Sequence, residues 1–575
     1  MKLLRLKITD SRRFRSLPID FEVKFLNDKI YNFEPYCLAG RNGSGKSNVL
    51  EVLASIFYHL ECMFLKNLPD GFVYDEDNNS GGYSSKKCNP DAFEVEYLYP
   101  LTLSDINNNW SSYKDKDIKE LVAHISIVKK PNETPKLYWK NSIDYGGIEN
   151  MELTGNRAKS FLPKKVIGYS SGENEILSLP FLKMRFLHYD EYLEKLKKDD
   201  FYGQRPEGRM VYIDNQLNQA VLLSILLLED PENYKPLYEK IGIQGVKEFR
   251  IIIGKHHFEL IDEDLYYSLK KEKRKFSSGF SRELTEKLKI TLDKFQYCAT
   301  TSGTIYEYYD GSEESKEYLY LDFKVDKNTI KAFRGHFETS LELFEALQIL
   351  FTLNSYVNNE RTRNRVYKSK NLYLNKEELP VPFDEARIMR FKNFNLKIKG
   401  IEDTIYTKSL SDGEHQLIHA LGISLLYKDL PCLFLFDEPE THFNQDWRFE
   451  LMTLIRNCFK SEITKPLIFR EMLITTHSAY LISDCKEENV FLFEKENGIV
   501  SYRKPSFNTL GASINKISIE AFKSPITIGK HALSILEDID KRFEQGENSE
   551  SLIEELDDKL GESVEKLLLM HKLSD

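Results

Sequence analysis

Apolar and polar positions alternate through LLRLKITDSRRFRSLPIDFEVKF (3–25), the period-two rhythm of paired strands with one covered face. The same rhythm returns in AFEVEYLYPL (92–101), in HISIVKK (124–130) and in PKLYWK (135–140). Shorter runs are mostly apolar without alternation: YCLA before Gly40, KVIGY ending at Tyr169, Leu433–Phe436, and MLITT before His477. Such runs fit strands buried on both faces. MVYIDNQLNQAVLLSILLL (210–228) predicts a strand and then a helix, and SLELFEALQILFTLNSYVNN (340–359) a strongly apolar helix. Residues 60–90 are polar and rich in turn formers, which predicts a surface loop or an unstructured insertion. Leu552, Leu556, Leu560, Val564 and Leu568 fall four apart and predict one apolar stripe on a single helix, either core or a partner-docking face. No heptad repeat is sustained, so no long coiled coil is expected.

Four segments follow: an N-terminal half (1–180), a compact and mostly helical insertion (181–380), a C-terminal half (381–515) and a helical tail (516–575). The 575 residues are 41% hydrophobic and 30% charged, enough apolar material for sizeable cores. A net charge of −10 excludes a uniformly basic surface. Two local basic stretches, LKKEKRK ending at Lys275 and RTRNRVYKSK from Arg361, read equally as phosphate-backbone contacts or as solvated faces. Seven cysteines without a Cys-x-x-Cys pair argue against a disulfide frame or a zinc ribbon. The N-terminus has no secretory core and no apolar run is long enough to span a bilayer, so a cytoplasmic protein without a membrane partner is expected.

The chemistry is concentrated in a few motifs. Between the YCLA strand and a following helix stands GRNGSGKSN: Gly40, Arg41, Asn42, Gly43, Ser44, Gly45, Lys46, Ser47 and Asn48. The G-x-x-x-x-G-K-S spacing lets backbone N–H groups close on phosphates, with Lys46 on the β/γ oxygens and the Ser47 hydroxyl on Mg2+. ATP and Mg2+ are therefore the expected cofactors. Far downstream, Leu433–Phe436 ends in Asp437 and Glu438. Paired acids at the end of a buried strand are costly unless a cation meets them. Asp437 is placed to hold Mg2+, and Glu438 to polarise the attacking water. LSDGE (410–414) puts a Ser and a Gly at a helix mouth, which attracts anions and also reads as a capping box.

The order of these motifs resembles that of the ABC-type ATPases related to RecF, Rad50, SMC and OLD proteins. The resemblance implies an α/β fold: an ABC-type, RecF/SMC-like P-loop ATPase head with a mixed sheet flanked by helices. It implies that His477 is a switch histidine contacting the γ-phosphate. It also implies that Ser411, Gly413 and Glu414 form a signature serving the ATP of a second copy, in a head-to-tail ATP-sandwich dimer or a higher oligomer. YSSGENE (169–175) falls where that family keeps a magnesium-sensing Gln; none is present, and Glu173, Asn174 or Glu175 stand as substitutes.

Taken together, GRNGSGKSNVLEVLASIFYHLE, YSSGENE, SLSDGEHQLIHALG and FLFDEPETHFNQDWR resemble the ATPases of the Septu anti-phage systems, the PtuA family, with its retron-linked and restriction-associated versions. Gln445 stands where most such relatives have Pro. The resemblance implies a bacterial defence protein that controls a separate HNH nuclease of the PtuB kind and, in retron-linked systems, a reverse transcriptase with its multicopy DNA. Two other classes compete: a RecF/Rad50-like repair ATPase acting on DNA directly, and a scaffold that uses ATP as structural glue.

Overall fold

The computed structural model describes residues 1–25, 33–65, 68–102, 105, 121–171, 175–197, 208–254, 290–308, 315–354, 358, 360–369, 387–403, 405–460, 468–523 and 528–574. It is a mixed α/β structure that divides into two compact units, Met1–Leu510 and Gly511–Asp575.

Three sheets organise the first unit. The central one has seven strands in the order Ile499–Arg503, Val490–Glu496, Tyr36–Gly40, Glu471–Thr476, Cys432–Asp437, Lys165–Ser170 and Met210–Tyr212. Every neighbouring pair is parallel except the first, which is antiparallel. Tyr36–Gly40, Glu471–Thr476 and Cys432–Asp437 are buried along their whole length, the reason they read as continuous apolar runs. Register brings their C-terminal ends level: Ala39 opposes Thr476, Thr475 opposes Asp437, and Asp437 opposes Ser170. The carboxyl end of a parallel sheet is where open α/β folds hold ligands.

A six-stranded antiparallel sheet runs Glu22–Lys24, Lys2–Ile8, Phe93–Pro100, Val122–Lys129, Lys136–Trp139, Met151–Leu153. One apolar core extends from this sheet through the helix Lys46–Cys62 to Leu433, Leu473 and Phe491 of the central sheet. That helix is buried at most of its positions, so it is clamped rather than merely amphipathic.

The described part of 181–380, expected from sequence as a mostly helical insertion, is helix-rich but contributes three strands to a sheet that the apolar pattern does not reveal. Five antiparallel strands run Thr301–Tyr308, Ser315–Lys324, Ile243–Gly254, Met389–Ile398, Ile405–Tyr406. Met389–Ile398, assigned from sequence to the C-terminal half, pairs along Ile243–Gly254 of the insertion. The helix Asn218–Leu228 lies along Asp412–Leu426, the helix that LSDGE opens. A Cβ on Gly422 would come 2.4 Å from Val221 Cγ1, so the two helices touch closely at mid-length. Their ends are tied as well: the Asn218 amide donates to His415 Nδ1, Gln219 Nε2 donates to Thr407 Oγ1 (2.8 Å), and Lys428 pairs with the buried Glu229.

Two other expectations change. Residues 68–88 form a hydrogen-bonded loop: buried Asn79 donates its amide to Gly71 O (3.0 Å) and Val73 O (2.8 Å), and Phe72 packs on Tyr83 and Tyr367. The C-terminal unit does not carry one long apolar stripe. Helix Ser549–Lys559 stops before Gly561, and Ser563 Oγ accepts from Lys566 N–H (3.1 Å) at the start of Val564–Ser574. Leu552 and Leu556 are buried with Leu536, Ile539, Leu569 and Leu573, whereas Val564 and Leu568 are exposed. The longest helix among the described residues is Glu175–Lys197, and no described helix is long and apolar enough to cross a membrane.

Candidate functional site

The sequence candidates at the strand ends converge. Gly45 precedes the helix Lys46–Cys62 at φ 92°, a backbone region glycine enters without cost. The turn it makes folds Lys46 back under the loop. Lys46 Nζ donates to Gly40 O (3.0 Å) and Arg41 O (3.1 Å) and lies 4.0 Å from Glu438 Oε1. Burial pulls the lysine down to about 8, against the raising pull of Glu438 and Asp437. Ser47 Oγ donates to Asp437 Oδ1 (2.7 Å), joining two motifs 390 residues apart. Thr475 Oγ1 donates to the same oxygen (2.6 Å). Glu438 and His477 pair through Oε1 and Nε2, and both are about a third exposed. Burial pushes the Glu438 carboxyl up, but the His477 bond and the nearby charges of His477 and Lys46 outweigh it and hold the group below its ordinary range.

The rest of the loop is more varied. Arg41, Asn42 and Gly43 are exposed. Ser44 is buried and its hydroxyl has no hydrogen-bond partner among the described residues. Asn48 is turned to the N-terminal segment, donating to Ser16 Oγ (2.6 Å).

This arrangement fits a nucleotide with Mg2+. An orphaned hydroxyl in a glycine turn, a buried ammonium and the first-turn N–H groups of a helix suit an anion. The Ser47 and Asp437 oxygens are hard donors suited to Mg2+, which takes few protein ligands and completes its shell with phosphate and water.

LSDGE is brought to a different place. Ser411 caps Asp412–Leu426 in a full capping box: its hydroxyl accepts from Glu414 N–H, and Glu414 Oε2 accepts from Ser411 N–H (2.7 Å). Gly413 is buried, and a Cβ there would come 2.8 Å from His442 O. The contacts of these three residues lie within the helix mouth and the loop after Glu438, not with the P-loop. Glu173 and Asn174 lie outside the described residues, and for Glu175 only its place at the start of Glu175–Lys197 is described. LKKEKRK also lies outside them. In RTRNRVYKSK, Arg363 is buried and paired with Asp190 (2.8 Å), so that stretch is partly internal structure.

Several residues of the site carry no sequence signal. Glu440 is buried beneath it, bonded by the Thr476 hydroxyl, and burial raises its carboxyl to about 7. Glu51, on the P-loop helix, is raised to about 8 by burial although Arg15 pairs with it. Thr475, Thr441, Ser171 and Gln416 join the strand ends by hydrogen bonds. Glu440 and Thr441 lie inside DEPETH, Ser171 inside YSSGENE, Gln416 inside SLSDGEHQLIHALG and Thr475 inside MLITT, but no spacing rule sets them apart from their neighbours.

No protein-family model matches the chain. No curated protein matches it. Among solved structures it is similar to the crystal structure of the SmcHead bound to the C-winged helix domain of ScpA, at 11% identity, covering 88% of this chain and 99% of that one. The TM-score is 0.31, a likeness that carries no argument about function.

Proposed function

We propose that the chain is an ABC-type ATPase that binds ATP with Mg2+ and hydrolyses it. The observation that carries this reading is the convergence of Lys46, Ser47, Asp437, Glu438 and His477 from three separate stretches onto adjacent ends of one parallel sheet. Lys46 gives up its bonds to Gly40 O and Arg41 O and holds the β/γ oxygens. Ser47 and Asp437 hold the cation. When bound, Mg2+ would supply positive charge that offsets the charge of the phosphates. Glu438, kept ionised, orients the attacking water and accepts its proton. His477 leaves Glu438 to meet the γ-phosphate, which frees the carboxylate for water.

The finer reading rests on the quoted motifs. Ser411, Gly413 and Glu414 serve the ATP of a second copy in a head-to-tail dimer. The work done by hydrolysis controls a separate HNH nuclease in an anti-phage system of the Septu kind, in the cytoplasm. The purified chain should hydrolyse ATP with Mg2+ and leave DNA and RNA intact, and cutting should appear when the HNH protein encoded beside it is added. Absence of turnover refutes the ATPase. DNA-stimulated turnover with no effect of the HNH protein favours direct action on DNA, of the RecF/Rad50 kind.

A further inference from the structure

One buried side chain of the helix Asp412–Leu426 holds the loops that leave two neighbouring strands of the central sheet. Gln416 is 4% exposed. Its amide nitrogen donates to Ser171 O (3.3 Å), just past Lys165–Ser170. Its amide oxygen accepts from His442 N–H (2.9 Å), just past Cys432–Asp437. A carbonyl demands a donor and an N–H an acceptor, so these two neighbours fix which end of the amide is which.

The bonds continue from Ser171 to the acids. Ser171 N–H donates to Asp437 O (3.2 Å). Ser171 Oγ donates to Thr441 Oγ1 (2.9 Å), which donates to Glu438 O (2.9 Å). On the other side Glu438 N–H donates to Thr475 O (3.2 Å) and Thr475 Oγ1 (3.1 Å). Between these anchors Glu438 stands at φ 49°, a left-handed conformation that a non-glycine residue keeps only where its surroundings impose it. The anchors on the Thr441 side lead back to Gln416.

We propose that Gln416 is a positioning residue for ATP hydrolysis: it transmits the placement of the signature helix, through Ser171 and Thr441, to the backbone of Asp437 and Glu438. The inference rests on the ATPase reading above and adds a residue to which no nucleotide contact is assigned. It gives the signature helix a hydrogen-bonded grip on the water-polarising acid of its own chain. A signature helix seated against a partner's phosphate would then set the geometry of both acids, with no contact between Gln416 and nucleotide.

The test separates positioning from simple support of the fold. Gln416→Glu keeps the acceptor for His442 N–H but sets a carboxylate against Ser171 O. Ser171→Ala removes one hydroxyl from a partly exposed site and leaves both backbone bonds of Ser171 in place. Binding of mant-ATP, KM, kcat and Tm are measured for each variant and for the pair. Gln416→Glu should lower kcat about tenfold or more, with mant-ATP affinity within about threefold of wild type. Ser171→Ala should lower kcat less, and the double variant should be no slower than Gln416→Glu alone, because both lesions cut one path. If Gln416→Glu does not fold, Ser171→Ala and Thr441→Val carry the test, and a normal kcat in both overturns the proposal. Wild-type turnover with unchanged kcat in Gln416→Glu, or effects that multiply independently, overturns the proposal alone. A wild-type chain that binds mant-ATP without turnover overturns the ATPase reading and this proposal together.

Discussion

The P-loop and the LSDGE helix mouth are both suited to phosphate, and they are built in opposite ways. At the P-loop two polar groups are buried: Ser44 has no hydrogen-bond partner among the described residues, and Lys46 is low at about 8 because burial disfavours its charge. At the helix mouth Ser411 is exposed, Glu414 is half-buried, and the two satisfy each other. A region that keeps buried polar groups unmet gains most from a ligand. A region already capped gains only from something arriving outside the chain. The contrast separates a region whose buried polar groups await a ligand from one whose polar groups are already satisfied within the chain.

The largest expected effect lies wholly on the first side. Lys46→Ala should abolish measurable mant-ATP binding. Glu438→Gln should keep binding and lose about 10²–10⁴-fold in turnover, the usual cost of a missing base. Near-normal hydrolysis by Glu438→Gln would remove that residue from its role.

A smaller effect is read by pH. Phosphate binding favours charged Lys46, so above about pH 8 the free protein must first take up a proton. Affinity for mant-ATP should then fall by up to about tenfold per pH unit. Lys46→Arg, which stays protonated, should bind with no such slope, while Ser411→Ala should keep the wild-type slope. A flat wild-type profile up to pH 10 would show that the lysine is not held low by burial.

The third effect is about twofold and decides whether the second side works in trans. Gly413 is a poor place for a charged lesion, because any side chain there presses on His442 O of its own chain. Ser411→Arg is cleaner. Alone, Ser411→Arg and Lys46→Ala should each be inactive. In a doubly tagged dimer carrying one of each, both lesions fall in one shared site and the other is intact, so about half the normal activity should return. Wild type mixed with Glu438→Gln is the control for sites that fire only together. If one site suffices in that control and the mixed dimer stays dead, each site belongs to one chain.

The parts of this structure legible in the sequence are those written as local spacing. G-x-x-x-x-G-K-S, the apolar run before Asp437 and the capping pattern at Ser411 each fit within a few turns or one strand, and each lies where its residues place it. The pairing of Ile243–Gly254 with Met389–Ile398 was not legible, because the register of distant antiparallel strands is set by cross-strand packing that no single segment records. The path from Gln416 to Glu438 was equally hidden: its members are common polar residues joined across 245 and 270 positions. The four-residue stripe from Leu552 misled because Gly561 and Ser563 end one helix and start another within it.

The seam between Asn218–Leu228 and Asp412–Leu426 also bears on inheritance. With Gly422 against Val221, and Glu229 buried beside Lys428, neither helix presents a neutral surface to a foreign partner. An insertion borrowed from a relative would replace Val221, which fills the place left by the missing Cβ of Gly422, or take away Glu229 and leave Lys428 without its carboxylate. The insertion is therefore not a cassette that descendants can trade alone. Its changes must be accepted jointly with those of Asp412–Leu426, and a working chimera has to take both halves of the seam from one parent.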